Sequence, residues 1–513
     1  MKRTKFILPI IAAATLFSCS DYLDINTSPN NPNANQVTPN LALAAAQTGP
    51  YRTLTRNANI LGNLLMNNWG FNVNSFAVTN PEEFSLNFNN NTGSAIWDGL
   101  YLSTGNLSKI INHPSTQHDN HKAIAKMLKS FYFQYLVDLY GDVPYFEVHQ
   151  GSVNLTPAYD DDKVIYRDLV VQIEEAIAMI DNPAPGTAAV GQEDVMLGGD
   201  MDAWKRFGNT LKLRILLRQS EMTDAETTTY LAAEFAELAG ADFVEADVTI
   251  NPGYANNAEQ QNPFFDLFYN VGPGTGATPA AQLASRETTI FRQYRASDWI
   301  ADNLNTSPVD ARRGRLFTLL GTPPAVVGVI QGDAAQVSGG TAPTNLSALG
   351  SGVLTSSEQD GYVMTLAESK LLQAEAALRG YLPGDAQALF NEGVLASFAQ
   401  LGATPGTYIA DVNGVPGKGL GVGSLEEKIW AISYQKNIAL MGTNSIEAYI
   451  DATRTGYIDE IDLALGAIAN GRTHKPRRLL YPTSELAGNS ANVPNVSLEQ
   501  IFVEGPFWFV NND

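Results

Sequence analysis

Apolar residues recur at helical spacing through most of the chain. In "HKAIAKMLKSFYFQYLVDLYGDVPYFE" (residues 121–147), Ile124, Leu128, Phe131, Tyr135 and Leu139 share one stripe, which predicts an amphipathic helix. Tyr132, Leu136 and Tyr140 widen the apolar surface to a second face, so neighbours should cover this helix on two sides. Gly141 and Pro144 stop it. Residues 161–180 put Ile165, Leu169, Ile173, Ala176, Ile177 and Ile180 on one face and end at Asn182 and Pro183. Residues 202–220 follow, with Trp204, Phe207, Leu211 and Ile215 on one side and Lys205, Arg206, Lys212 and Arg218 around the rest. In an acidic chain those bases read as ion-pair partners or a solvated face.

The C-terminal half has the same style. Residues 367–398 read as a helix, a turn between Gly380 and Gly384, and a second helix. "SLEEKIWAISYQKNIALMG" (residues 424–442) opens with Ser424 three positions before Glu427, a capping box, and stops at Gly442. Asn444 and Glu447 repeat that spacing. Helices paired at this length predict a mainly α fold, a tetratricopeptide-like scaffold of helical pairs without a strict repeat. Periodicity fails in two stretches, at about residues 69–97 and 251–361, where Asn, Gly, Pro and aromatics replace helical spacing apart from residues 297–305. Both read as long excursions from the scaffold, of a kind compact domains seldom keep without a use.

The beginning of the chain differs from the rest. Lys2, Arg3 and Lys5 precede an apolar run over residues 6–17, shorter than the about 20 residues that span a bilayer, as in a secretory signal. Cys19, the single cysteine of 513 residues, stands directly behind it, so neither a disulfide within the chain nor a sulfur-built zinc site is available. "LFSC" (residues 16–19) resembles a bacterial lipobox, which implies that Cys19 carries the lipid anchor; an ordinary secretory signal with a chance cysteine is the competing reading. The expected organisation is a signal peptide over 1–18, an Asn-, Pro- and Ser-rich tether over 19–40, and a helical domain over 41–513. Net charge is −21, from 32 basic and 53 acidic residues, which excludes nucleic acid as a natural partner because that affinity comes from neutralising phosphates.

No catalytic constellation emerges. G-x-S-x-G and the P-loop pattern are absent. His113, His118 and His121 form H-x4-H-x2-H before the first strong helix, a spacing that a solvated turn produces as readily as a metal site, and no metal or cofactor is assigned. Glu82 and Glu83, adjacent in a loop, give no sign of the separation that glycoside hydrolysis needs. Aromatics say more. Trp69, Phe71, Phe76, Phe84, Phe88 and Trp97 crowd the first excursion; Tyr254, Phe264, Phe265, Phe268, Tyr269, Phe291, Tyr294 and Trp299 crowd the second. Such rings either anchor loops by burial or bind the C–H faces of sugars. Trp69, Trp97, Tyr294 and Trp299 are the ligand-binding candidates chosen on that chemistry.

Six segments in order, with the lipobox, carry a resemblance. They are "LVDLYGDVPYFE" (residues 136–147), "WKRFGNTLKLRILLR" (204–218), "FRQYRASDWI" (291–300), "AESKLLQAEAALRG" (367–380), "YQKNIALMGTNSIEAYIDATRTGYI" (434–458) and "PRRLLYPTSE" (476–485). Together they resemble the SusD/RagB family of Bacteroidetes outer-membrane lipoproteins, in its SusD-like 2 branch. Residues 308–317 lack that family's usual Asp-Pro-Arg, and Thr453 stands where many members have a second arginine before Arg454. The resemblance implies a cell-surface, lipid-anchored nutrient-binding protein on the outer membrane, not an enzyme, that captures oligosaccharide for a SusC-like TonB-dependent transporter. Peptide is the second ligand class, and a glycoside hydrolase or a purely structural interaction protein the alternatives of other kinds. Arg286, Arg292 and Arg295 are the bases that could temper an acidic binding face.

Overall fold

The computed structural model of the protein describes residues 37–71, 82–333 and 343–511. Cys19, the signal and most of the tether lie outside these residues, as does Phe76. Helix α1 (Pro39–Thr53) starts behind Thr38, with proline at its first position, where no amide is needed. It runs through a five-residue π turn (Leu54–Ala58) into α2 (Asn59–Leu65). Helices α3 (Ser94–Ile111), α4 (Asp119–Tyr140), α5 (Asp162–Asp181), α6 (Met201–Leu217) and α7 (Ala225–Leu238) follow. After the second excursion, which contains α8 (Asp298–Asn305), come α9 (Leu366–Leu378), α10 (Ala386–Leu401), α11 (Leu425–Leu440) and α12 (Ser445–Thr455). The fold is therefore mainly helical.

The predicted helices form within a few residues of their expected bounds because their ends carry the expected chemistry. Asp161, Asp200 and Asp224 accept the amides of Val164, Ala203 and Thr227, capping α5, α6 and α7. Ser424 and Glu427 form the reciprocal box at α11, and Gly141 ends α4 with φ 74°, where a side chain would be strained. Successive helices pack on one another from α3 to α7, α1 lies on α3, and α9 packs on α10 and α11. Contacts of α6 with α9 and of α2 with α12 join the two halves. One large core runs through both, with a smaller cluster built on Leu371, Phe390, Val394, Phe398 and Ile432.

At the α2–α12 crossing, a Cβ on Gly62 would lie 2.3 Å from the main-chain nitrogen of Ile446 and 2.3 Å from the carbonyl carbon of Ser445. Backbone cannot rotate aside as a side chain can. Gly62→Ala is expected to lower stability by about 1–3 kcal/mol or more, measured as the denaturant midpoint.

Charged side chains, not apolar ones, form the centre of the joint. Arg214 on α6 and Arg218 at its C-cap meet Glu368 on α9 at 3.1 Å and Glu447 on α12 at 2.7 Å, respectively. Arg218 also reaches Asp138 on α4 at 3.2 Å. Lys436 on α11 pairs with Asp451 at 3.1 Å, and Arg454 bridges Asp451 at 2.8 Å to Glu375 at 2.7 Å. All nine groups are buried. Asp138 further accepts Trp508 Nε1–H at 2.8 Å and the Tyr166 hydroxyl, which ties the C-terminal segment to α4 and α5. Burial raises its pKa to about 6, although Arg218 pulls the other way. One expectation is corrected here. Asn444 and Glu447 do not form a capping box: the Asn444 amide donates to Tyr135 at 2.8 Å, and Glu447 is spent on Arg218. Tertiary charge pairing outcompetes the local cap.

Lys475 offers a pH test of this interior. It is buried, donates to the Ile461 carbonyl at 3.1 Å, and burial lowers its pKa to about 7 against the pull of Asp462 and Asp459. Between that value and the ordinary lysine value of about 10.4 the unfolded chain binds the extra proton, so stability from this group rises with pH. The urea midpoint of Lys475→Met should climb less between pH 7 and pH 9 than that of the parent protein.

Candidate functional site

Four short strands position the excursions: β1 (Trp69–Phe71), β2 (Val248–Ile250), β3 (Tyr294–Ala296) and β4 (Gly361–Met364). β1 pairs antiparallel with β3, Trp69 opposite Ala296 and Phe71 opposite Tyr294, so the two excursions are sewn together. β2 pairs likewise with β4. Ser297 follows β3 directly and caps α8, its hydroxyl accepting Ile300 N–H at 3.2 Å and donating to the Asn67 carbonyl. The amides of Ser297 and Asp298 bond to the carbonyls of Asn68 and Val329 at 3.1 and 3.0 Å. The first turn of α8 is thus bolted to the strand pair, and Trp299 stands on it.

Of the four aromatic candidates, only Trp299 is left with part of its surface open to solvent. Trp69 is 0% exposed, Trp97 2% and Tyr294 8%, so the first two are core residues and the third nearly so. Trp69 packs 5.5 Å from the Tyr294 ring and 6.3–6.4 Å from Phe268 and Phe264. Trp97 packs 4.7 Å from Tyr101 and 4.9 Å from Tyr140. Burial wins for three of the four: Trp69 and Tyr294 stand on the paired strands β1 and β3, and Trp97 lies in the first turn of α3. They support the platform and do not present it. Arg286 and Arg295 are likewise spent, donating to the carbonyls of Asn270 and of Phe291 and Tyr294.

Trp299 borders two hollows. The first, about 310 Å³, is shared with Asn303, Lys418, Trp430, Tyr434, Tyr457 and Glu460. Trp430 donates Nε1–H to the Thr455 carbonyl at 3.0 Å, which commits its polar edge inward and leaves the indole face to the hollow. Lys418 lies 5.0 Å from the Tyr434 ring centre, and burial holds its pKa below the ordinary lysine value against the pull of Asp310. Glu427 also lines the space, but its carboxylate is committed to the Ser424 amide at 2.7 Å. Two indoles flanked by amide, amine and carboxylate groups can hold a ring with one apolar face and an edge of hydroxyls. The sequence reading did not single out Trp430, Tyr434 or Tyr457; Tyr434 and Tyr457 are buried, and Trp430, half-buried, is the ring it passed over.

A larger hollow of about 530 Å³ opens at the start of α1, lined by Val37, Leu41, Ala45, Ile110, His113 and His149 among others, but it offers no Trp, Tyr or Phe face. The three clustered histidines do converge, with ring centres 5.6 Å (His113 to His118) and 5.3 Å (His118 to His121) apart. His121 is buried and bonds through Nε2 to Glu193 at 3.0 Å. Glu174, Glu234 and Glu237 draw together elsewhere, around the Lys212 ammonium, which lies 2.7 Å from Glu234 and 3.1 Å from Glu237. A lysine ammonium already occupies the centre of that cluster, an ion pairing that the sequence reading of the α6 bases anticipated.

The family model described as starch-binding, associating with outer membrane, matches residues 29–482. Among solved structures, a chitin-binding protein is 24% identical, with TM-score 0.69, and the match covers 92% of this chain and 100% of that one. A chitin-binding SusD homologue from Flavobacterium johnsoniae is 21% identical at TM-score 0.69, over 91% and 99% of the two chains. A SusD/RagB family protein from Bacteroides thetaiotaomicron is 19% identical at TM-score 0.68, over 92% and 99%. No curated protein sequence matches the chain. At these identities the structural likenesses speak for the fold.

Proposed function

The chain belongs to the SusD-like family, and from that premise we propose that it is a lipid-anchored nutrient-binding protein that captures oligosaccharide beside Trp299 and passes it unaltered to a SusC-like TonB-dependent transporter. The observation that carries the reading is that Trp299 and Trp430 line one hollow, since indole faces grip the C–H faces of sugar rings. The chitin-binding relatives favour a β-linked N-acetylated or related glycan as the first class to try. Capture without conversion fits the acids present: Glu427 is engaged in its helix cap, so the hollow does not offer two free carboxylates facing a glycosidic bond.

Anchoring belongs to the same proposal. Among the described residues no helix is long and apolar enough to cross a membrane, and the family description associates its members with the outer membrane. Cys19 acylated with two or three chains would hold the protein there, facing outward. The test is a screen of the purified protein against polysaccharide and peptide panels, with product analysis of every ligand retained. Retention of a glycan that is recovered intact supports the reading. Glycan shortened in proportion to protein added makes the chain a hydrolase, and retention of peptide alone moves it to the second ligand class.

A further inference from the structure

Resting on the reading that Trp299 borders a glycan site, the second hollow that this residue lines narrows the sugar. It measures about 280 Å³ and its polar lining is built of acceptors. Asn67 is 4% exposed, with a left-handed φ of 51°. Its Nδ2 donates to the Asp462 carbonyl at 3.2 Å, while its Oδ1 is buried and has no hydrogen-bond partner. A buried carbonyl left unmatched is costly, and a donor arriving from outside would recover that cost. Asp298 and Asp462 line the same space, both exposed, and neither carboxylate takes a hydrogen bond or salt bridge from another described side chain. Gln331 brings no free donor, since its amide serves the carbonyls of Leu64 and Trp69.

The two charged side chains that line the hollow, Asp298 and Asp462, are both acidic. Burial raises the pKa of Asp298, and the nearness of Asp302 and Asp462 raises it further. The facing cation is Lys475, whose buried ammonium is turned to the Ile461 carbonyl. Opposite the acceptors, Ile330, Leu465 and Ile468 expose an apolar wall. We propose that this hollow is a subsite for an amine-bearing sugar, whose ammonium group sits among Asp298, Asp462 and the Asn67 carbonyl while its ring lies against Trp299 and the apolar wall. An N-acetylated sugar offers one N–H without charge, and a uronic or sulfated sugar meets like charge. A lysine side chain brings the ammonium without a ring to lie on the indole.

Calorimetric titration of the full chain in mild detergent tests this with four probes: a glucosamine oligomer, the N-acetylglucosamine oligomer of equal length, tetralysine, and calcium chloride. The glucosamine oligomer should bind about tenfold tighter than its N-acetylated counterpart. In the double variant Asp298→Asn with Asp462→Asn that margin should shrink to about twofold. Equal or tighter binding of the N-acetylated oligomer overturns the subsite and leaves the Trp299 reading standing. Tetralysine matching the glucosamine oligomer, or calcium binding that the double variant abolishes, also overturns it. Failure of both oligomers to bind also overturns the subsite, and the polysaccharide screen alone then decides the Trp299 reading.

Discussion

Glu447→Gln lowers the stability of the folded protein by about 3–5 kcal/mol, read as a fall in the urea midpoint at unchanged slope. Glu447 receives Arg218 at 2.7 Å and lies 3.9 Å from Arg214 and 3.6 Å from Lys436, and all four side chains are buried. Burial pushes its carboxyl up, yet Arg218, Arg214 and Lys436 together outweigh burial and hold it below the ordinary value. Removing that charge strands cations in the joint between the helical halves, where their desolvation is already complete. The exposed pair of Lys163 with Glu226, at a similar 2.8 Å, is the control. Lys163→Ala should cost under about 1 kcal/mol, because solvent screens that pair. Equal losses in the two variants would show that the buried network is not what joins the halves.

Trp69→Ala and Trp299→Ala should part company completely. Trp69 fills the space between Phe264, Phe268 and Tyr294, so its truncation opens a cavity and costs about 3–5 kcal/mol of stability. Trp299 stands on the first turn of α8 and lines two hollows. Its truncation should leave the urea midpoint within about 1 kcal/mol of the parent and weaken glycan binding about tenfold or more. A Trp299→Ala protein that loses stability like Trp69→Ala would make the ring another loop anchor.

The contrast also marks what could be read from the sequence. The α4 stripe from Ile124 to Leu139, the α11 capping box and the Gly141 stop are local, set by neighbours within a turn or two, and they were legible. Asn444 and Glu447 have the right spacing for a cap, but their side chains are claimed by Tyr135 and Arg218, more than 200 residues away in sequence. No local pattern reports such a claim. The same holds for the candidate site. Composition marked the excursions as aromatic, yet which ring faces solvent depends on how β1 pairs with β3 and on where α11 lies, so Trp69 and Tyr294 were chosen alongside Trp299 while Trp430 was passed over. The segments that carry the family resemblance include Asp138, Arg214, Arg218, Glu368, Glu375, Lys436, Glu447, Asp451 and Arg454, the members of the buried network. They preserve the joint between the halves, which is why they identify the fold so well and the ligand so poorly.

The account stands most directly on one titration: the tightest glycan from the screen against the parent protein and Trp299→Ala, by calorimetry, with the glycan recovered and sized afterwards. Saturable binding by the parent, a loss of about tenfold or more in the variant, and glycan of unchanged length is the predicted result. Equal affinity for both proteins, or shortened glycan in the recovered ligand, contradicts it.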